Sequence, residues 1–82
     1  MHLVVEVADS SLEFDRTVKL PLYAQSGIRE LWIVNLIDVQ VEIHRQPQLN
    51  GTFAITMNLS PGEIAQPLAF PGLSLAVSEI LP

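Results

Sequence analysis

Eighty-two residues, 49% of them hydrophobic and only 16% charged, make one small domain near the lower limit for a self-sufficient core. A net charge of −5 with four basic residues, Arg16, Lys19, Arg29 and Arg45, argues against a free-standing duplex binder, whose affinity rests on many phosphate contacts. The absence of cysteine removes any disulfide frame or thiolate site and fits a reducing, cytoplasmic setting.

The longest uncharged apolar stretch, residues 64–77, contains Pro67 and Pro71 and is shorter than the roughly 20 residues a membrane span needs. No basic segment followed by an apolar run and a cleavage site opens the chain, so the expectation is a soluble protein without a membrane partner. So much apolar residue on so small a domain predicts self-association as a dimer or larger homo-oligomer, or a covering partner segment.

Residues 3–34, LVVEVADSSLEFDRTVKLPLYAQSGIRELWIV, organise the rest. Leu3, Val4, Val5 and Val7 form a β-branched run of the kind found in strands covered on both faces. Glu6 interrupts that run, and an ionised carboxylate there is costly unless a positive group meets it. A chain that opens directly in such a strand is expected to draw its missing neighbour from lost sequence or from another chain.

Asp9, Ser10 and Ser11 end the strand. A helix is predicted to start at Asp15 as N-cap, with Asp15, Lys19 and Tyr23 aligned at i, i+4 and i+8. Pro21 should kink it, and Gly27 should close it as a left-handed residue with Ile28 folding back toward Tyr23.

Residues 31–36, LWIVNL, read as a central strand. After a turn at Ile37 and Asp38, Val39, Val41 and Ile43 alternate with Gln40, Glu42 and His44, the pattern of a half-exposed antiparallel strand with His44 on its open side. Asn50–Gly51 marks a turn, and Phe53, Ile55, Met57 and Leu59 alternate through a further strand. Ser60–Pro61–Gly62–Glu63 suggests a type II turn. Leu73, Leu75 and Val77 suggest a last short strand, and residues 78–81 a terminal helical turn.

The order of these residues is familiar. Val4-Val5-Glu6-Val7, then Ser11, Asp15, Lys19, Tyr23, Ala24 and Gly27, then Leu31-Trp32-Ile33-Val34, and more weakly Phe70-Pro71-Gly72-Leu73, resemble a large restriction-endonuclease-like family. That family is common in photosynthetic bacteria and is placed in the PD-(D/E)XK nuclease superfamily. The match covers nearly the whole chain but corresponds to the second half of a typical member.

The resemblance implies an α+β, truncated restriction-endonuclease-like fold over residues 1–82. It would hold a small mixed sheet of about four to five strands, with one main helix between the first two. It also implies Mg²⁺- or Mn²⁺-dependent phosphodiester hydrolysis on DNA, with Glu6 as a metal-ligating catalytic residue and Lys19 as the catalytic lysine. His2, Asp15 and Tyr23 are accessory candidates.

The departures are specific. Ala8 stands where the superfamily's strand lysine would be, Asn35-Leu36 replaces the usual Asp-Pro, Met1-His2 replaces Pro-Asp, and the upstream aspartate has no counterpart. Half a site predicts a chain that is inactive alone, completed by another chain in an oligomer.

The plainer readings stand beside this one. Glu6 and Lys19 could form a structural ion pair, Asp15 and Lys19 a surface i, i+4 pair, and Tyr23 a core-edge aromatic. Under those readings the chain is a non-catalytic, self-associating assembly module.

Overall fold

The computed structural model describes residues 3–81. Four strands, β1 (Val4–Ala8), β2 (Glu30–Asn35), β3 (Gln40–Pro47) and β4 (Phe53–Leu59), form one mixed sheet in the order β1-β2-β3-β4. β1 runs parallel to β2, and the other two pairings are antiparallel. Parallel neighbours need a long crossover. Here a helical segment supplies it: α1 (Leu12–Phe14), a π-helical stretch (Asp15–Lys19) and α2 (Leu20–Gln25), continuous along the chain. The α+β class and the single main helix between the first two strands are as expected.

The helix begins earlier than its acid suggests. Leu12 is buried, and Asp15 donates its backbone N–H to Ser11 O at 2.9 Å, so Ser11 precedes the first turn and Asp15 lies inside the helix. The N-cap assignment of Asp15 is therefore corrected: burying Leu12 against the sheet recruits an extra turn.

The disturbance expected from Pro21 falls just ahead of it. A proline in α2 offers no N–H and crowds the preceding turn. The chain responds by widening: Leu20 donates to the carbonyl of Asp15, a π-type bond. Gly27, at φ +76°, then closes the helix, and Ile28 N–H reaches Tyr23 O at 3.1 Å, the closing bond predicted for this glycine.

Two packed layers flank the sheet. On the helix side, Ala8, Leu12, Ala24, Leu31, Ile33 and Phe53 are buried together. On the other side Trp32, Val34, Val41 and Ile43 meet Ala65, Val77 and Leu81 from the C-terminal segment. That segment folds as a two-stranded ribbon, β5 (Ile64–Ala65) with β6 (Leu75–Ala76), and a turn of helix α3 (Val77–Ile80). The short strand near Leu75 and the terminal turn were expected; β5 was not.

Three local expectations need correction. Val39 lies in the turn with φ +56° and half its surface exposed, because Asn35 Oδ1 accepts from Ile37 N and Asp38 N and so prolongs that turn to Gln40. Glu42 and His44 are buried, not open, since the helix lies across the face they occupy. Glu63 N–H closes on Ser60 O at 2.9 Å without Gly62 among the positive-φ residues, so this turn is not type II.

β1 also differs from its prediction. Its residues alternate, with Val4, Glu6 and Ala8 toward the helix and Val5 and Val7 outward, 51% and 64% exposed. The C-terminal layer lies over β2 and β3 with Leu3 packed against it, and Val5 and Val7 stay exposed on that face of β1. β1 is also an edge strand among the described residues.

A buried ion pair ties the C-terminal segment to the sheet. Glu30 is fully buried; its Oε2 accepts from Arg45 Nε at 2.6 Å and its Oε1 from Leu68 N at 3.0 Å, while Arg45 Nη2 donates to Gln66 O at 2.6 Å. Removing one partner of such a pair strands the other. Arg45→Met is expected to cost about 3–5 kcal/mol in urea unfolding, and Glu30→Gln/Arg45→Met to recover much of that loss, because the uncompensated charge is then gone.

Candidate functional site

Register places the acids. Glu6 pairs with Ile33 and Ile33 with Glu42, so both carboxylates stand on one row of the sheet, on the helix side, flanking Ile33. The helix above carries Asp15, Arg16, Lys19 and Tyr23.

At Glu6, Tyr23 Oη donates to Oε1 at 2.6 Å and Lys19 Nζ to Oε2 at 3.3 Å. The Tyr23 hydrogen bond, with help from Lys19 and against partial burial, holds the Glu6 carboxyl below its ordinary range. The same hydrogen bond raises the Tyr23 phenol, which stays a donor and is no nucleophile near neutral pH. Bonding to Glu6 raises Lys19 as well. The structure thus brings Glu6, Lys19 and Tyr23 into contact.

Asp15 joins them from inside the helix. It is 2% exposed; Ser11 Oγ donates to Oδ2 at 3.3 Å, and Lys19 Nζ lies 3.5 Å from Oδ1. The Asp15–Lys19 pair is therefore real but not a surface pair. His2 lies outside the described residues.

A second polar cluster lies one strand away. Arg16 forms a two-pronged ion pair with Glu42, Nη2 to Oε2 and Nε to Oε1. Asn35 Nδ2 donates to Glu42 Oε2 at 3.3 Å, and His44 Nε2 stands 3.3 Å from Oε1. Burial pushes the Glu42 carboxyl up, but the guanidinium of Arg16 and the neighbouring His44 outweigh it and leave it below the usual range. An ionised Glu42 accepts a hydrogen bond from His44 Nε2–H, so Nδ1 accepts from Thr56 Oγ1 at 3.1 Å. Burial lowers the imidazole, despite the opposing pull of Glu42.

None of Arg16, Asn35, Glu42 and His44 was a site candidate by sequence. Alternation with Val41 and Ile43 suggested an open face. The available signal was weak: Arg16 is a second cation on the helix, but Glu13 and Asp15 stand close by in sequence and offered it nearer partners than Glu42.

A divalent cation of the kind the resemblance implies needs converging oxygens. Among the described residues no group of three or more His, Asp or Glu side chains converges on one point. Two carboxylates do: Glu6 and Asp15 share one ammonium, and Asp15 Oδ1 is buried with no hydrogen-bond donor. Two carboxylates completed by waters are a donor set Mg²⁺ accepts. The residues fit such an ion once Lys19 withdraws.

A strand-borne glutamate is met by a helix-borne lysine within the parallel strand–helix–strand unit of a mixed α+β domain. The chain belongs to the family described as Uma2, putative restriction endonuclease, whose model matches residues 1–78. No curated protein and no solved structure matches it. No described helix is long and apolar enough to cross a membrane.

The two clusters predict an acid profile with two steps. His44, lowered by burial, stays neutral in the fold while the unfolded chain takes a proton near 6.5, so its contribution is complete above that pH and drains away as pH falls. Glu6 and Glu42, both held low, contribute above about 4.5 and lose that stability as pH falls further. Melting temperature should therefore decline from pH 7.5 to 5.5 and again below 4.5. His44→Gln should flatten the first decline and leave most of the second, since Tyr23 holds Glu6 low and Arg16 lowers Glu42 more than His44 does.

Proposed function

We propose that this chain is a nuclease-type domain whose Glu6 and Lys19 form the acid and lysine of a phosphodiester-hydrolysing half-site, inactive in the isolated chain and completed in an assembly with a second copy. The observation that carries this reading is the Glu6–Lys19 contact at 3.3 Å on the strand–helix–strand unit, supported by the family match over residues 1–78.

Both oxygens of Glu6 are engaged, by Lys19 and Tyr23, and the described residues bring only one further carboxylate near. Mg²⁺ or Mn²⁺, when bound, would supply charge stabilisation on an attacked phosphate. The protein's own part is narrower. Glu6 fixes one oxygen position, Tyr23 orients that carboxylate, and Lys19 carries a positive charge on a flexible stem that can neutralise an anionic oxygen. DNA is the substrate the family suggests. With a net charge of −5 the chain has little to hold a duplex by itself, so an assembly would have to supply that contact.

Self-association is supported by the open flank of the sheet. Val5 and Val7 are exposed on edge strand β1, and Phe14, Val18 and Leu22 are exposed along the helix. An unprotected apolar edge strand invites pairing. The alternative reading, a non-catalytic self-associating module, rests on this same surface and differs only at Glu6.

Plasmid cleavage separates the two. The monomeric Val5→Lys/Val7→Lys variant is expected to show no nicking with Mg²⁺ or Mn²⁺, whereas the assembled wild type should cut in a metal-dependent way that Glu6→Ala and Lys19→Ala both abolish. An assembly that never cuts would favour the non-catalytic module. Independently, light scattering should give a mass of a dimer or more that falls toward the monomer in Val5→Lys/Val7→Lys; a concentration-independent monomer would remove the oligomer from this reading.

A further inference from the structure

Asp15 is buried in a way its hydrogen bonds do not account for. It is 2% exposed, yet Oδ1 accepts no hydrogen bond, and Ser11 Oγ meets only Oδ2, at 3.3 Å. Leaving a carboxylate oxygen buried without a donor is costly unless a charge compensates it. Among the described residues the charge at hand is Lys19 Nζ, 3.5 Å from Oδ1 and 3.3 Å from Glu6 Oε2. Two acids from different elements thus converge on one ammonium, which neutralises only half of their charge.

We infer that Lys19 Nζ holds the place of a divalent cation, and that Asp15 and Glu6 are the two carboxylate ligands that receive the ion when the lysine swings out. This rests on the nuclease-type reading of Glu6 and adds to it a second ligand and a built-in competitor. A divalent ion in that position neutralises both acids in full, with waters completing its coordination.

The contacts suit an exchange. Tyr23 stays on Glu6 Oε1 and leaves Oε2 free for the ion. The Lys19 side chain is 39% exposed and can leave for solvent, whereas Asp15 is fixed within the helix. Once displaced, the ammonium stands at the rim of the site, able to meet an anionic ligand such as a phosphate oxygen. Lysine and cation compete for the same oxygens, so removal of the lysine strengthens binding of the ion.

The probe is Mn²⁺, titrated into the chelator-treated full chain without DNA and followed by the electron paramagnetic resonance signal of the free ion. Lys19→Met is expected to bind one Mn²⁺ at least about tenfold more tightly than the wild type, since a unit positive charge has left the site. Lys19→Met/Asp15→Asn and Lys19→Met/Glu6→Gln should each lose that gain. Lys19→Met binding no more tightly than wild type, or a gain that survives Asp15→Asn, overturns the inference.

Lys19→Met leaves two acids facing each other and could unfold, so Asp15→Asn in the otherwise native chain gives a second reading. The rise in melting temperature that millimolar Mn²⁺ gives the wild type should vanish in Asp15→Asn, and its persistence there overturns the inference too. Binding is read on the isolated chain, so a failure to cut plasmid leaves this result standing. Conversely, an assembly that cuts while Asp15→Asn leaves Mn²⁺ binding unchanged would sink the cation site and spare the nuclease reading.

Discussion

Two carboxylates on one row of the sheet, Glu6 and Glu42, stand either side of Ile33, and a single helix supplies the cation for each. This constraint fixes the helix-covered half of the molecule. Ile33, Leu31 and Ala8 form an apolar floor, so each acid beside them is drawn out of water and must be met. Arg16 and Lys19 meet them from above, three positions apart along the helix. With its planar fork, Arg16 binds the deeper acid through two contacts, and Lys19, a point charge on a mobile stem, takes the shallower one. That division of labour leaves one acid held by a fork and the other by a single ammonium and a phenol.

The π-helical stretch belongs to the same arrangement. Asp15–Lys19 is the widened segment, and it carries both cations and the buried Asp15. Pro21 follows directly and cannot sustain the regular bond pattern of the turn before it. One local constraint from proline chemistry therefore coincides with the place where three charged side chains are presented to the sheet. Insertions of this kind occur often at functional sites, which agrees with the weight placed on Asp15 and Lys19.

Much of this was legible in the residues. A glutamate set among valines has few ways to be tolerated, and the helix that follows offers one lysine at a suitable position, so Glu6 and Lys19 could be paired from sequence. Gly27 could be placed because a helix end with a left-handed residue leaves few alternatives. What was not legible depends on layers that no local pattern encodes. Alternation at β3 says that two faces differ, not which face a distant helix covers, and so Glu42 and His44 were placed on the open side. The run of valines in β1 likewise reports strand character while leaving open how far the C-terminal layer extends. An Asp ahead of a helical pattern looks like a cap until the burial of Leu12 adds a turn before it.

The two sides of the sheet also divide stability from chemistry. Behind it, Glu30 and Arg45 are consumed in holding residues 66–68, with every Glu30 oxygen engaged and the guanidinium shared between sheet and loop. On the helix side the Arg16–Glu42 pair is similarly closed, with Asn35 and His44 completing the shell of the carboxylate. Among the described residues the acids left partly satisfied are those around Glu6: Asp15 Oδ1 lacks a donor, and one lysine serves two acids. A folded chain tolerates unsatisfied buried charge at few places, because each weakens a marginally stable domain. Among the described residues that incomplete pairing is concentrated at Glu6 and Asp15, in a chain of a nuclease-like family.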